Sequence, residues 1–396
     1  MSLISNKIAF IKPSPTLEIS KLTAELIAQG RDVISLGAGE PDFDTPDHIK
    51  ATAIQAINSG FTKYTPVDGI SELRRAIIHR MKEDYGINYA LNQVLVGSGA
   101  KQCIYNLLMA TLNDGDEVII PAPYWVSYPD MVKIAGGTPV IVDCGDTFKI
   151  TPELLERAIT QKTKWLIINS PSNPAGTVYG RDELTALAKV LLKHEHVNIL
   201  TDDIYAKLVY DCEFLNILQV EESLYNRVFI INGVSKAYSM TGWRIGYVVG
   251  DANVIKAVSV IQSQSTTNAN SIAQKAATTA LEGDHEFLRD RIKAFARRRD
   301  KVMQTIGETA MLSADIPQGA FYVFVSCAGA IGKKAPSVGM ISDGTDMSKH
   351  LLHHDVAVVP GVAFGAQNFF RISYALSDEK LATACQRILD ACSELQ

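Results

Sequence analysis

Between residues 93 and 249 the chain alternates short apolar runs with helical stretches, and this alternation limits the fold more than any other feature. The runs fall at 93–96, 117–120, 139–142, 165–169, 198–201, 228–231 and 247–249. Helical stretches at 100–112, 153–159 and 182–194 stand between some of them. Within each run the apolar residues are consecutive, as a strand covered on both faces requires. The pattern predicts an α/β domain: a mainly parallel seven-stranded sheet with helices on both faces.

The flanks read differently. A helix is expected over 17–29, stopped by Gly30. Thr45-Pro46 predicts a cap followed by proline at the first helical position, with the helix ending near Gly60. A further helix runs over 71–85 and stops at Gly86. After the alternation, a charged helix over 284–305 carries Arg297-Arg298-Arg299-Asp300-Lys301, read as a solvated face. Then come strand 320–325, helix 346–354, strands 356–359 and 369–374, and helix 378–393, with 327–344 as a loop. That is a second, smaller α+β domain. The expected division is an N-terminal arm and part of the small domain at 1–45, a large domain at 46–290 and a small C-terminal domain at 291–396. A chain of 396 residues has room for both.

Charge and cysteine content exclude several classes. Lys plus Arg is 38 against 43 Asp plus Glu, so the surface as a whole does not serve nucleic acid or anionic lipid. The six cysteines form no C-x-x-C pair, which excludes a zinc ribbon and fits buried thiols in a reducing compartment. His350-Leu351-Leu352-His353-His354 reads as a helix surface, and no metal is expected. No apolar run approaches the ~18 residues of a membrane span. No secretory signal is visible at the N-terminus. The chain reads as cytoplasmic.

Ligands of open parallel sheets bind at the carboxyl ends of strands. After 93–96 comes Gly97-Ser98-Gly99-Ala100-Lys101-Gln102 and then a helix, an anion site built from free backbone N–H groups and the helix dipole. It is not a nucleotide fingerprint, because Gln102 replaces the third glycine of G-x-G-x-x-G. After 165–169 comes Asn173, and after 198–201 come Asp202, Asp203 and Tyr205. After 228–231 come Ser235, Lys236 and Arg244. Singly these could be a turn residue, a cap, a surface lysine and an ion-pair arginine. At the ends of neighbouring strands they suit one ligand, pyridoxal phosphate. That cofactor needs a lysine for its aldehyde, a carboxylate against its ring nitrogen, donors at its ring oxygen and a phosphate cradle with a fixed cation. Tyr124-Trp125 can supply an aromatic ring to stack on it.

These segments resemble the class I pyridoxal-phosphate aminotransferases of fold type I. The pattern is closest to the bacterial aspartate aminotransferases. The resemblance covers essentially the whole chain. It includes residues 39–46 (GEPDFDTP), 63–66 (KYTP), 121–128 (PAPYWVSY) and 370–374 (FRISY), and most specifically Ser235-Lys236 through Arg244. It implies that Lys236 bonds the cofactor and shuttles the proton, and that Asp202 partners the ring nitrogen, with Asp203 a competitor. Asn173 and Tyr205 would donate to the ring oxygen, and Trp125 would stack. Gly99, Ala100, Ser235 and Arg244 would hold the phosphate. Gly233 stands where some members carry a serine. Tyr64 would reach the phosphate of a neighbouring copy, implying a homodimer with shared active sites. Gly39 and Arg371, with Trp125 and Asn173 alongside, would hold the substrate α-carboxylate. Lys101 and Lys12 are the candidates for a second carboxylate. The implied reaction moves the amino group between L-aspartate and 2-oxoglutarate, giving oxaloacetate and L-glutamate. Aromatic amino acids or prephenate are the alternative substrates. A lyase or decarboxylase on the same fold is more distant, and a cofactor-binding regulator would need an added DNA-binding domain.

Overall fold

The computed structural model describes residues 15–396 together with residues 3, 4, 9 and 11. Lys12 lies outside the described residues. The seven expected runs are the seven strands of one sheet: β1 (Val94–Gly97), β2 (Glu117–Ala122), β3 (Thr138–Asp143), β4 (Thr163–Asn169), β5 (Asn198–Asp202), β6 (Val228–Gly233) and β7 (Gly246–Val249). Their spatial order is β1-β7-β6-β5-β4-β2-β3. Only β7 runs antiparallel to its neighbours; the rest are parallel.

Consecutive apolar residues become two cores because side chains alternate across a strand. On one face Leu166, Ile168, Ile199, Val228 and Ile230 pack with Leu184, Leu187 and Leu191 of helix Arg181–Lys193. On the other, Trp165, Ile167, Leu200, Phe229 and Ile231 pack with Ile104, Leu107 and Leu108 of helix Ala100–Thr111.

A separate core gathers around an antiparallel sheet of β8 (Tyr322–Ser326), β9 (Val359–Pro360) and β10 (Phe369–Ser373), in the order β9-β10-β8. Ile34–Ser35 joins this core by pairing with Val356–Ala357. Among the described residues no helix is long and apolar enough to cross a membrane.

Several expectations need correction. The strand expected at 356–359 is two pieces that pair with different partners. The loop at 327–344 contains a small hairpin, Lys334–Ala335 with Gly339–Met340. Thr45 does not cap its helix. The N-cap is Pro46, and the Thr45 hydroxyl donates to Ser239 O and accepts from Trp243 Nε1. The arginine cluster is not a solvated face either, since Arg298 and Arg299 are each only 7 % exposed. Arg298 bridges Asp42 and Asp378, and Arg299 reaches Asp211, Asp300 and Pro317 O. A buried guanidinium must find acceptors for its five donors, and here it uses them to tie helix Glu286–Gly307 to its surroundings. His350 is fully buried rather than on a helix surface, bonded to Ala391 O and Ser337 Oγ.

Candidate active site

The C-terminal ends of β4, β5 and β6 open into one cavity of about 480 Å³ between the large sheet and the antiparallel sheet. Gly39, Ala100, Lys101, Trp125, Asn173, Asp202, Tyr205, Ser235, Lys236, Arg244 and Arg371 all line it. Of the remaining candidates, Gly99 lies behind Arg244, and Tyr64 is 90 % exposed and lines no part of the cavity.

Lys236 follows β6 and is half-buried among aromatic rings, with its amine donating to Gly39 O. Burial, reinforced by the nearby Arg371 cation, lowers it to about 8. At about pH 7 roughly a tenth of the amine is then neutral.

The two adjacent acids point into different surroundings. Asp202, the last residue of β5, lines the cavity and accepts from Tyr128 Oη at 2.6 Å. Burial raises its carboxyl to about 6, against the lowering effect of that hydrogen bond. Asp203 does not line the cavity. Its Oδ2 accepts from Asn216 Nδ2 at 2.8 Å, and burial raises it to about 7.

Arg371, from β10, is buried and stacked 4.3 Å from the Tyr322 ring centroid. Nη1 donates to Asn173 Oδ1 at 2.8 Å and Nη2 to Gly37 O at 2.7 Å. Its Nε is buried without a partner. Because Asn173 uses its oxygen on Arg371, its amide nitrogen remains as a donor toward the cavity. Tyr205 bonds Tyr322 hydroxyl to hydroxyl at 2.8 Å.

The anion loop is built on close approach. Gly99 has φ +92°, and a Cβ there would run into Arg244 Nη2. A Cβ on Gly246 would overlap Ala100 N. Arg244 itself is left-handed at φ 57° and donates to Thr241 O at 2.9 Å. The loop departs from expectation at Gly99, whose N–H is spent on Gly97 O at 2.8 Å. Ala100 opens the helix, so its N–H has no intrahelical acceptor. Lys101 Nζ sits 4.8 Å from the Trp125 ring centroid, with its amine lowered by burial and by Arg244.

The residues present fit pyridoxal phosphate. They offer a half-buried amine bonded only to a backbone carbonyl, a buried carboxylate with room beside it, a cation at a helix N-terminus and a buried guanidinium at the cavity wall. Sequence reasoning assigned no role to Tyr128, Asn169 or Tyr322. Tyr128 stands three residues after Trp125, inside a segment already singled out, and Asn169 ends β4 where a cavity residue is expected. Tyr322 carried no such signal.

Comparison with known proteins agrees with this geometry. A family profile described as "Aminotransferase class I and II" matches residues 31–388. The chain is 54% identical over 399 residues to a Cereibacter sphaeroides protein named "Aspartate/prephenate aminotransferase", covering 100% of each. It is 48% identical over 395 residues to the "Aspartate aminotransferase" of Rhizobium meliloti, covering 99% of this chain and 96% of the relative. Among solved structures, the Rhizobium meliloti aspartate aminotransferase superposes with TM-score 0.97 at 47% identity over 100% of both chains. The Thermus thermophilus aspartate aminotransferase with maleate gives 0.92 at 40% identity, covering 99% of this chain and 100% of the other.

Proposed function

The chain belongs to the class I and II aminotransferases, which work through pyridoxal phosphate, and on that premise we propose that its donor is L-aspartate and its acceptor 2-oxoglutarate. The observation that carries the dicarboxylate reading is one cavity holding both Arg371 and Lys101. Arg371 offers a planar fork for the α-carboxylate, and Lys101 a point charge on a flexible stem for the second. The Thermus thermophilus structure with maleate, itself a dicarboxylate, agrees with such a pairing.

When bound, pyridoxal phosphate supplies an aldehyde for an amine and an electron-poor ring that accepts the charge of a deprotonated α-carbon. The chain's residues do the rest. Lys236 would hold the cofactor through its aldehyde and would serve as the base for the substrate α-proton, work that an amine lowered to about 8 suits near neutral pH. Asp202, which lines the cavity where Asp203 does not, would partner the ring nitrogen. Asn173 and Tyr205 would donate to the ring oxygen, and Trp125 would stack on the ring. Ala100, Ser235 and Arg244 would hold the phosphate, with Gly99 allowing the close approach of Arg244. Arg371 and Gly39 orient the α-carboxylate. In a homodimer the exposed Tyr64 would reach the phosphate in the partner's site.

A second reading, prephenate in place of 2-oxoglutarate, is favoured by the name of the Cereibacter sphaeroides relative. The test is purified holoenzyme assayed with aspartate, alanine and phenylalanine as donors, against 2-oxoglutarate and prephenate as acceptors. Aspartate should lead the donors by kcat/KM. A lead for alanine or phenylalanine overturns the dicarboxylate reading, and a lead for prephenate replaces 2-oxoglutarate as acceptor.

A further inference from the structure

Tyr128 opens helix Tyr128–Ile134 beneath the cavity and is only 2 % exposed. Two contacts set it apart from the other buried tyrosines. Its hydroxyl donates to Asp202 Oδ2 at 2.6 Å, a length typical of a charge-assisted O–H···O⁻ bond. Its ring meets Trp125 edge to face, with centroids 5.2 Å apart and planes at 81°. Among the described residues the Asp202 carboxylate has one other hydrogen bond, a 3.4 Å contact from Ile204 N.

The charged and titratable groups facing Asp202 come from three elements. They are Tyr128 from its helix, Asp203 and Tyr205 from the segment after β5, and Lys236 from the segment after β6. Lys236 attracts the charge weakly, Asp203 repels it, and burial works against it. Tyr128 supplies the one short donor. Burial and the adjoining carboxylate keep the phenol itself protonated.

We infer that Tyr128 is a positioning residue whose hydroxyl holds Asp202 as a carboxylate aimed into the cavity and whose ring edge fixes the plane of Trp125. One side chain then sets both the acid at the ring nitrogen and the aromatic cover of the cofactor. The inference rests on the assignment of Asp202 to the ring nitrogen made above.

Tyr128→Phe removes the hydroxyl and keeps the ring. The readout is the cofactor dissociation constant of the holoenzyme as a function of pH. Binding needs the Asp202 carboxylate, so affinity falls as pH drops through the titration of that group. Losing a hydrogen bond to a charged group should move the midpoint of this acid limb upward by roughly one pH unit or more. Affinity should therefore fall about tenfold or more on the acid side and much less on the alkaline side. A midpoint that stays put, or an equal loss at every pH, overturns the inference.

In an Asp202→Asn background, Tyr128→Phe should leave the pH profile unchanged; a full additive loss there also overturns it. If Asp202→Asn itself costs neither affinity nor turnover, the assignment of Asp202 falls instead. Should Tyr128→Phe fail to fold, wild-type holoenzyme labelled at tyrosine Cζ gives a second measurement. One tyrosine resonance should move with the acid limb, and the absence of any such resonance overturns the inference.

Discussion

Replacing Asp203 by Asn should make the protein more stable at alkaline pH while leaving catalysis nearly intact. In the fold Asp203 is buried, and its carboxyl is raised from 3.8 to about 7. Below the unfolded value the group is neutral in both states, so no stability is lost. As pH rises toward the folded value, the unfolded chain releases the proton and the native one holds it, and stability declines. Above the folded value the loss is constant. About three units at 1.36 kcal/mol each make the loss roughly 4 kcal/mol at about pH 8, against roughly 2 at about pH 5. An amide carries no such cost, and its oxygen can still accept from Asn216 Nδ2, so most of the difference should return. In a chain of this size that is a Tm rise on the order of several degrees, larger at about pH 8 than at about pH 5. Asp202→Asn should instead cost turnover on the order of 10²-fold or more, because an amide cannot stabilise a cationic ring N–H. Thermal unfolding at both pH values, with steady-state rates for both variants, decides the matter. A Tm gain independent of pH refutes the burial argument, and a larger activity loss from Asp203→Asn refutes the choice of Asp202.

The central sheet was legible because its strands are apolar on consecutive residues and each must bury two faces. Leu166 and Ile168 go to one core while Trp165 and Ile167 go to the other, so a single run encodes both packing layers. Short edges were harder to read. The stretch 356–360 is continuous in sequence, yet it changes partner from Ile34–Ser35 to β10 within five residues, and only the tertiary pairing shows this. The arginine cluster misled for a related reason. Composition cannot tell a solvated guanidinium from one buried against Asp42, a residue 256 positions away.

The cavity residues from β4, β5 and β6 were readable as strand-end residues, a rule that needs only the strands. What escaped came from contacts that the chain makes back on itself. Tyr128 lies on a helix start rather than a strand end, and its importance rests on a 2.6 Å contact with a residue 74 positions later. Tyr322 sits at the start of β8, in the other core, and lines the cavity with Arg371 stacked on its ring. The alternation of Asp202 and Asp203 follows the same geometry as the rest of the strand, in which neighbours face opposite sides. That geometry separates two acids the sequence left in competition.

Four further outcomes follow from the site. Lys236→Ala should abolish transamination while far-ultraviolet dichroism stays native, and near-wild-type turnover without added amine would overturn its role. Arg371→Lys loses the donors to Asn173 and Gly37, each bond to a charged group being worth ~1.5–3 kcal/mol. kcat/KM should drop about 10- to 100-fold for every amino acid alike, and a loss confined to acidic donors would contradict the α-carboxylate assignment. Gly246→Ala drives a Cβ into Ala100 N, so cofactor affinity measured by dialysis should fall on the order of tenfold or more, and unchanged affinity would remove the cradle from this loop. Lys101→Ala tests the donor itself. Lys101 rests over Trp125, and its partly buried amine is already lowered, so it gains most when a second carboxylate arrives to pair with it. Such a pair in a closed site is worth ~1.5–3 kcal/mol, hence about 10- to 100-fold in kcat/KM for aspartate. Alanine and phenylalanine bring no second carboxylate and should change little. If all three donors weaken alike, Lys101 serves the cofactor phosphate beside Arg244 and not the substrate side chain.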